Sequence, residues 1–216
     1  MESDLVYLVD IDNTLLDNDA VVVDLKRYLH RAFGVEGERR YWAIFEELWQ
    51  KLGYADYLGA FQRLRVERLR DPEAIRASQF LLTYPFADRV FPGALDAIAV
   101  LRRRAPVVIL SDGDAVAQPA KAARSGLLDA VGGEILIYIH KEEMLDDVER
   151  RYPARRYVMV DDKIRILAAI KAIWRERVTT VFVRQGSYAM NRAEVDRYPP
   201  ADVSIDDISE IAGVAL

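Results

Sequence analysis

The chain contains no cysteine and only two histidines among its 216 residues, and it has no long uninterrupted apolar run. Without cysteine there is no disulfide, thiol nucleophile or thiolate metal site, and two histidines are too few for a histidine-rich metal centre. No stretch approaches the ~20 apolar residues that span a bilayer, and the first residues lack the basic and apolar segments of a secretory signal. We therefore expect a cytoplasmic protein whose chemistry uses oxygen ligands.

A strong charge bias is also absent, because the formal net charge is −5 and the sequence pI is about 5.2. Such a chain offers no electrostatic basis for binding nucleic acid or an anionic membrane. Apolar residues make up 51% and charged residues 30%, as in ordinary globular proteins. We expect a small-molecule partner and a monomer or homodimer.

From residue 92 onward, helical segments alternate with short apolar strands, which is typical of βαβ units and a parallel sheet. After a first strand at 5–9, the further predicted strands are 107–110, 135–139, 157–160, 179–183 and 203–205. Helices are predicted at 94–103 and 164–174. The expected fold class is therefore α/β, with a doubly wound parallel sheet.

Residues 17–90 are helical in pattern and contain no convincing strand. Apolar residues recur at three- and four-residue spacing over 41–52, and Gly53 then stops the pattern. Asp71 followed by Pro72 predicts the start of another helix. We expect the aromatic residues of this segment to form its own small core: Tyr41, Trp42, Phe45, Trp49, Tyr54, Tyr57 and Phe61. The predicted organisation is a core of residues 1–16 and 91–216 with a helical insertion at 17–90.

Polar side chains follow four of the predicted strands, at the point where each strand ends. Asp10 and Asp12 come directly after the first strand, and their i, i+2 spacing places both carboxylates on the same side. The other three strand ends carry Ser111 and Asp112, then His140 and Lys141, then Asp161, Asp162 and Lys163. Because the carboxyl ends of parallel strands meet at one edge of a sheet, we expect a single crevice there.

These motifs, in this order, resemble those of the haloacid dehalogenase (HAD) superfamily, in the group with a helical (C1-type) cap inserted after the first strand. The matching residues are Asp10, Asp12 and Thr14 for the first motif, Ser111 for the second, Lys141 for the third, and Asp161 and Asp162 for the fourth. Phe91, Pro92 and Gly93 resemble the return from the cap. The resemblance covers nearly the whole chain.

The resemblance implies a phosphatase that hydrolyses a small phosphomonoester. Asp10 would be the nucleophile that forms an aspartyl-phosphate, and Asp12 would serve first as general acid and then as base. The Ser111 hydroxyl and the Lys141 ammonium would hold the phosphoryl oxygens. The substrate-binding residues implied in this way are Thr14, Ser111, Asp112 and Lys141.

The same resemblance implies a Mg²⁺ cofactor. A carboxylate oxygen of Asp10, the backbone carbonyl of Asp12 and a carboxylate of Asp162 would bind the ion, while Asp161 would support these ligands. Four aspartates would bring four negative charges, against three positive charges from Lys141 and the ion. Since neighbouring like charges raise a carboxyl pKa, protonation of Asp12 would remove part of the excess. The metal-free enzyme should be nearly inert.

Two lysines compete for the third motif. Lys141 follows a strand and precedes the acidic pair at a family-like distance, whereas Lys121 lies in a helical stretch at 118–125, where a solvated lysine is the ordinary outcome. We prefer Lys141, although Glu142 follows it where the family often has proline.

Two other functions stay open. One is a metal-independent 2-haloacid dehalogenase, against which Asp12 and Asp162 argue, because dehalogenases of the superfamily usually lack the second aspartate of the first motif. The other is a non-catalytic HAD-fold binding or regulatory protein. It is conceivable because Arg165 and Ile166 stand where many relatives carry a further aspartate.

Overall fold

A six-stranded, wholly parallel sheet with the strand order β3-β2-β1-β4-β5-β6 forms the centre of the molecule, a computed structural model that describes residues 3–214. The strands are β1 (Ser3–Val9), β2 (Val107–Asp112), β3 (Ile135–Tyr138), β4 (Ala154–Asp161), β5 (Val178–Val183) and β6 (Val203–Ile205). Val9 of β1 lies opposite Ile109 of β2 on one side and Val160 of β4 on the other. The carboxyl ends of these three strands therefore meet at one edge.

Between β1 and the rest of the sheet, the chain is helical. This insertion contains α1 (Asn18–Leu52), α2 (Tyr57–Glu67) and α3 (Pro72–Thr83). The helix predicted at 41–52 is the last part of α1, which contains a break at Gly34 and ends where Gly53 takes a left-handed conformation with φ 78°. As predicted, Asp71 caps α3, and its carboxylate accepts a hydrogen bond from the Glu73 N–H at 3.0 Å.

The chain leaves and re-enters the core along two adjacent segments. The Asp17 N–H donates to the Arg89 carbonyl at 2.8 Å, and the Phe91 N–H donates to the Leu15 carbonyl at 3.0 Å. The insertion is therefore joined to the core through a short antiparallel pair. The helices α1–α3 lie within the predicted insertion, whose division from the core at residues 17 and 90 stays a prediction.

Helices cover both faces of the sheet. The remaining helices are α4 (Ala94–Arg102), α5 (Ala117–Arg124), α6 (Leu127–Ala130), α7 (Leu145–Arg151), α8 (Ile164–Trp174), α9 (Gly186–Met190) and α10 (Arg192–Val195). Ile166 and Ile170 of α8 pack in the same cluster as Val6 and Leu8 of β1. This burial on both faces explains why the strands read as continuous apolar runs.

The α/β fold class with a doubly wound parallel sheet is confirmed. The strand at 203–205 and the helix at 164–174 match their predictions, and the other predicted strands and helices each differ at one or both ends, by at most three residues. Such differences are ordinary at element ends. Within residues 3–214, no helix combines the length and the apolar character needed to cross a membrane.

Candidate active site

The carboxyl edge of the sheet brings the predicted residues together as a buried charged cluster. Lys141 begins a short 3₁₀ segment after β3, and its Nζ lies 2.6 Å from Asp10 Oδ1 and 2.7 Å from Asp161 Oδ2. The same ammonium donates to the Leu110 carbonyl at 3.1 Å. All three charged side chains are buried, so Lys141 neutralises charge that water cannot reach.

Asp10, Asp161 and Asp162 form a possible metal site. Each offers a carboxylate oxygen, and these atoms lie within 4.8 Å of one another. Asp161 Oδ1 accepts a hydrogen bond from the Lys163 N–H at 2.8 Å, whereas both carboxylate oxygens of Asp162 are buried and accept none from the residues described. A buried carboxylate without a donor is costly unless a cation satisfies it. The donor set is all oxygen, so it fits Mg²⁺.

Burial and mutual repulsion perturb the ionisation of this cluster. Burial raises the pKa of Asp10 to about 6; Lys141 opposes that shift and Asp161 adds to it. Burial, reinforced by the charge of Asp161, also raises the pKa of Asp162 well above its ordinary value. Burial alone would lower the pKa of Lys141, but Asp10 and Asp161 outweigh it and hold that pKa above its usual range. Lys141 is therefore a permanent cation.

Asp12 has a different set of partners, which come from helix α5. Lys121 Nζ lies 2.5 Å from Asp12 Oδ1, and Gln118 Nε2 donates to Asp12 Oδ2 at 3.0 Å. The Gln118 amide also donates to Ser111 Oγ at 3.0 Å. The two lysines that competed for one role therefore contact different aspartates: Lys141 contacts Asp10, and Lys121 contacts Asp12.

A cavity of about 670 Å³ lies in front of this edge, between the strand ends and the helical insertion. Its polar lining includes Asp12, Asn18, Asp19, Asp112, Gln118, Lys121, His140, Lys163 and Arg165. Its apolar and aromatic lining includes Val21, Leu25, Trp49, Tyr54, Tyr57, Phe86 and Tyr188. Among the residues described, this lining contains neither Asp10, Ser111 nor Lys141, which lie buried next to it.

Two of the expected substrate-binding residues have other surroundings. Thr14 is fully buried, does not line the cavity, and its hydroxyl has no hydrogen-bond partner in residues 3–214. Asp112 lines the cavity, and its carboxylate accepts a hydrogen bond from the Lys141 N–H at 2.8 Å. Asp112 thus fixes the segment that carries Lys141. Direct substrate contact by either residue stays a prediction.

The expectation that the aromatic residues of the insertion form only its core holds in part. Tyr41 and Phe61 are buried there, with ring centroids 4.6 Å apart. Trp49, Tyr54 and Tyr57 instead line the cavity. The insertion therefore supplies an aromatic wall opposite the charged edge of the sheet.

Two residues of the site were given no role in the predictions from the sequence. Gln118 lies three positions before Lys121, so a shared helix face is the signal that could have found it. Lys163 directly follows the acidic pair and lines the cavity, with its Nζ 5.0 Å from the ring centroid of Tyr188. Burial would lower the pKa of Lys163, but the charges of Asp162 and Asp10 raise it above its usual range.

Comparison with known proteins identifies the fold. The family model of haloacid dehalogenase-like hydrolases matches residues 6–173. A crystal structure of a haloacid dehalogenase-like hydrolase from Burkholderia xenovorans LB400 is 57% identical, with 99% of this chain and 100% of that chain covered and a TM-score of 0.94. No protein with a curated description matches the chain.

More distant structures share the fold alone. The HAD-hydrolase YfnB from Bacillus subtilis, solved bound to magnesium, is 17% identical with a TM-score of 0.64, over 98% of each chain. L-2-haloacid dehalogenase from Xanthobacter autotrophicus is 15% identical with a TM-score of 0.65, over 98% of this chain and 97% of that one. The magnesium-bound hydrolase and the dehalogenase are thus about equally distant from this chain in sequence.

Proposed function

The chain belongs to the haloacid dehalogenase-like hydrolase family, and we propose that it is a Mg²⁺-dependent phosphatase acting on a small phosphomonoester through an aspartyl-phosphate intermediate. The observation that carries this proposal is the buried cluster of Asp10, Asp161 and Asp162, with an Asp162 carboxylate that lacks a donor within residues 3–214. Displacement of a halide needs one carboxylate nucleophile, whereas here Lys141 pairs with Asp10 and Asp161 and leaves the buried Asp162 carboxylate for a second cation. A cysteine-free chain acting on a metabolite suits the cytoplasm, which is part of the proposal.

The proposed reaction has two steps on the chain's own residues. Asp10 attacks phosphorus, the bond to the leaving oxygen breaks, and Asp12 protonates that oxygen. Asp12 then takes a proton from the water that attacks the aspartyl-phosphate, which releases inorganic phosphate and restores Asp10. Ser111 and Lys141 hold the phosphoryl oxygens during both steps.

The residues that would hold Mg²⁺ are Asp10 and Asp162 through their carboxylates and Asp12 through its backbone carbonyl. Both oxygens of Asp161 contact donors, Lys141 Nζ and the Lys163 N–H, whereas Lys141 contacts only Oδ1 of Asp10. This difference supports a place for Asp161 beside the metal ligands rather than among them. When bound, the ion supplies positive charge against the carboxylates and the phosphoryl oxygens.

The charge balance of the site opposes a phosphate ester less once the lysines near it are counted. Four aspartates bring four negative charges, and Lys121, Lys141 and Lys163 return three. With a divalent cation the sum becomes plus one, whereas a count limited to Lys141 leaves minus one. The lysines therefore weaken the repulsion that these four aspartates exert on a phosphate dianion, although Asp112 next to Lys141 adds a further acidic group.

A screen of phosphorylated metabolites and of 4-nitrophenyl phosphate, with and without Mg²⁺, tests this function. We expect phosphate release that requires Mg²⁺, and a loss on the order of 1,000-fold or more in kcat for Asp10→Asn, because an amide is a poor nucleophile. Circular dichroism verifies that this variant is folded. Chloride release from 2-chloropropionate without metal, in the absence of phosphatase activity, would replace the proposal with dehalogenation.

A further inference from the structure

Helix α5 presents two donors to a single carboxylate. Gln118 and Lys121 lie about one turn apart, and each reaches a different oxygen of Asp12, at 3.0 Å and 2.5 Å. Lys121 Nζ also donates to Asn18 Oδ1 at the start of α1, at 3.0 Å. Both oxygens of Asp12 are therefore occupied by donors that are themselves anchored on helices.

Asp12 needs such anchoring because of where it lies. It follows β1 in a loop and lines the cavity, and its side chain is 24% exposed, so its carboxylate would otherwise be free to turn into that space. The side chain of Lys121 is 7% exposed, and Gln118 is buried, so both have few alternative positions. The Gln118 amide also bonds Ser111 Oγ, which ties the orientation of Asp12 to the proposed phosphoryl pocket.

We propose that Lys121 and Gln118 are positioning residues for Asp12, holding its carboxylate in the orientation needed to protonate the leaving oxygen and then to take a proton from water. This inference rests on the proposed phosphatase function. It gives Lys121 a role distinct from that of Lys141, which contacts Asp10 and Asp161. It also makes α5 a supporting element of proton transfer.

The two steps of the reaction separate this role from a merely structural one. From 4-nitrophenyl phosphate the leaving group departs without a proton, so Lys121→Met should slow transfer to Asp10 less than about threefold. Hydrolysis of the aspartyl-phosphate still needs Asp12 as base, and we expect it to slow about 10- to 100-fold. Rapid mixing should then show a burst of one 4-nitrophenolate per site. An alkyl phosphate should be slow from its first turnover.

Conservative and matched variants complete the test. Lys121→Arg keeps a donor and should restore most of the hydrolysis rate, and Gln118→Met should lose about 3- to 10-fold in the same step. Lys171→Met is the control, because Lys171 pairs with Asp202 at 2.9 Å outside the cavity lining, and its kinetics should match the wild type.

A double-mutant cycle distinguishes action through Asp12 from direct binding of substrate. In an Asp12→Asn background, Lys121→Met should cause less than about a twofold further loss in the single-turnover rate, because its partner is already gone. A fully additive loss, or a rise in KM with unchanged kcat, would show that Lys121 binds the phosphoryl group and overturn the inference.

The inference and the proposed function fail in different ways. If the wild type hydrolyses phosphate esters but Lys121→Met and Gln118→Met match it in both steps, the positioning role is wrong and the phosphatase stands. If the wild type hydrolyses none of the phosphate esters, both fall together. If Lys121→Met does not fold, Gln118→Met and Lys121→Arg still test the positioning role.

Discussion

At the scale of single residues, the exposure of each carboxylate in the candidate site determines how much stability its lysine partner contributes. Lys141 serves Asp10 and Asp161, whose side chains are 5% and 0% exposed. Lys121 serves Asp12, which keeps some contact with water. Water can therefore replace one lysine in part, but it cannot replace the other.

We expect Lys141→Met to cost far more stability than Lys121→Met. Removal of Lys141 leaves two buried carboxylates without their cation, and such losses run to about 3–5 kcal/mol. A partly exposed pair such as Lys121 with Asp12 contributes about 1 kcal/mol. Urea unfolding in metal-free buffer near neutral pH measures both changes. The reverse ranking would mean that the cluster around Asp10 is more hydrated than its burial indicates.

A residue of the site was predictable from the sequence when the residues next to it already indicated its position in the fold. Asp10, Ser111 and Asp161 each follow a run of apolar residues directly, so the sequence next to them places them at the sheet edge. Gln118 reaches Asp12 across 106 positions, and only the packing of α5 against the β1 loop brings them together. The spacing to Lys121 shows only that the two residues share a helix face, not which aspartate that face meets.

At the scale of elements, the insertion is held to its return segment by a charged network. Asp24 of α1 accepts a hydrogen bond from Tyr84 Oη at 2.5 Å and from Arg89 Nη2 at 2.6 Å. These contacts, led by the Tyr84 hydroxyl, lower the pKa of Asp24 below its ordinary value. The helix α1 is thus fastened next to the antiparallel pair that joins insertion and core.

Replacing Asp24 with asparagine should therefore reduce stability in a pH-dependent way. A carboxyl whose folded pKa is depressed stabilises the fold above its unfolded value near ~4, and that contribution is lost as pH falls through the folded pKa. We expect Asp24→Asn to lose about 1 kcal/mol near neutral pH, discounted for its partial exposure, and almost nothing in acid.

Thermal or urea unfolding at several pH values measures this difference. Asp4→Asn is the matched control, since Asp4 pairs with Arg155 at 3.6 Å with both side chains largely exposed, and its loss should stay within a few tenths of a kcal/mol. A loss for Asp24→Asn that persists unchanged in acid would show that packing, rather than charge, is responsible.

The helical insertion shows the limit of pattern reading at this scale. The start of α3 was predictable because Asp71 and Pro72 are local capping signals. The cavity-lining role of Trp49 and Tyr57 was not, because an aromatic residue at helical spacing has the same pattern whether it faces a core or a cavity. Which of the two it meets depends on how α1 and α2 lie over the sheet.

At the scale of the whole molecule, we expect the buried carboxylates of the proposed metal site to reduce the stability of the metal-free protein. Burial and the Asp161 charge raise the pKa of Asp162, and a carboxyl whose folded pKa is raised destabilises the fold increasingly as pH rises above its unfolded value near ~4. We expect metal-free Asp162→Asn to be more stable than the wild type by about 1–2 kcal/mol. For a chain of this length, each kcal/mol of stability corresponds to a Tm shift of about 2–4 °C.

Added Mg²⁺ should reverse the order. An ion that binds only the folded state raises the free energy of unfolding with the logarithm of its concentration relative to Kd, so the Tm of the wild type should rise and that of Asp162→Asn should rise much less. Scanning calorimetry with and without Mg²⁺, using Ca²⁺ and Na⁺ for comparison, measures this. An equal gain in both proteins would place the ion elsewhere.

The central position of β1 has a consequence for biosynthesis. Strand β1 is synthesised before β4, which ends at Asp161, so until β4 follows, only one edge of β1 can be paired and Asp10 lacks its neighbours from β4. Until then a nascent chain exposes an apolar, unpaired strand, the kind of surface that chaperones shield. Fragments that stop before β4 should accordingly be inert and prone to aggregate, however well their helices form.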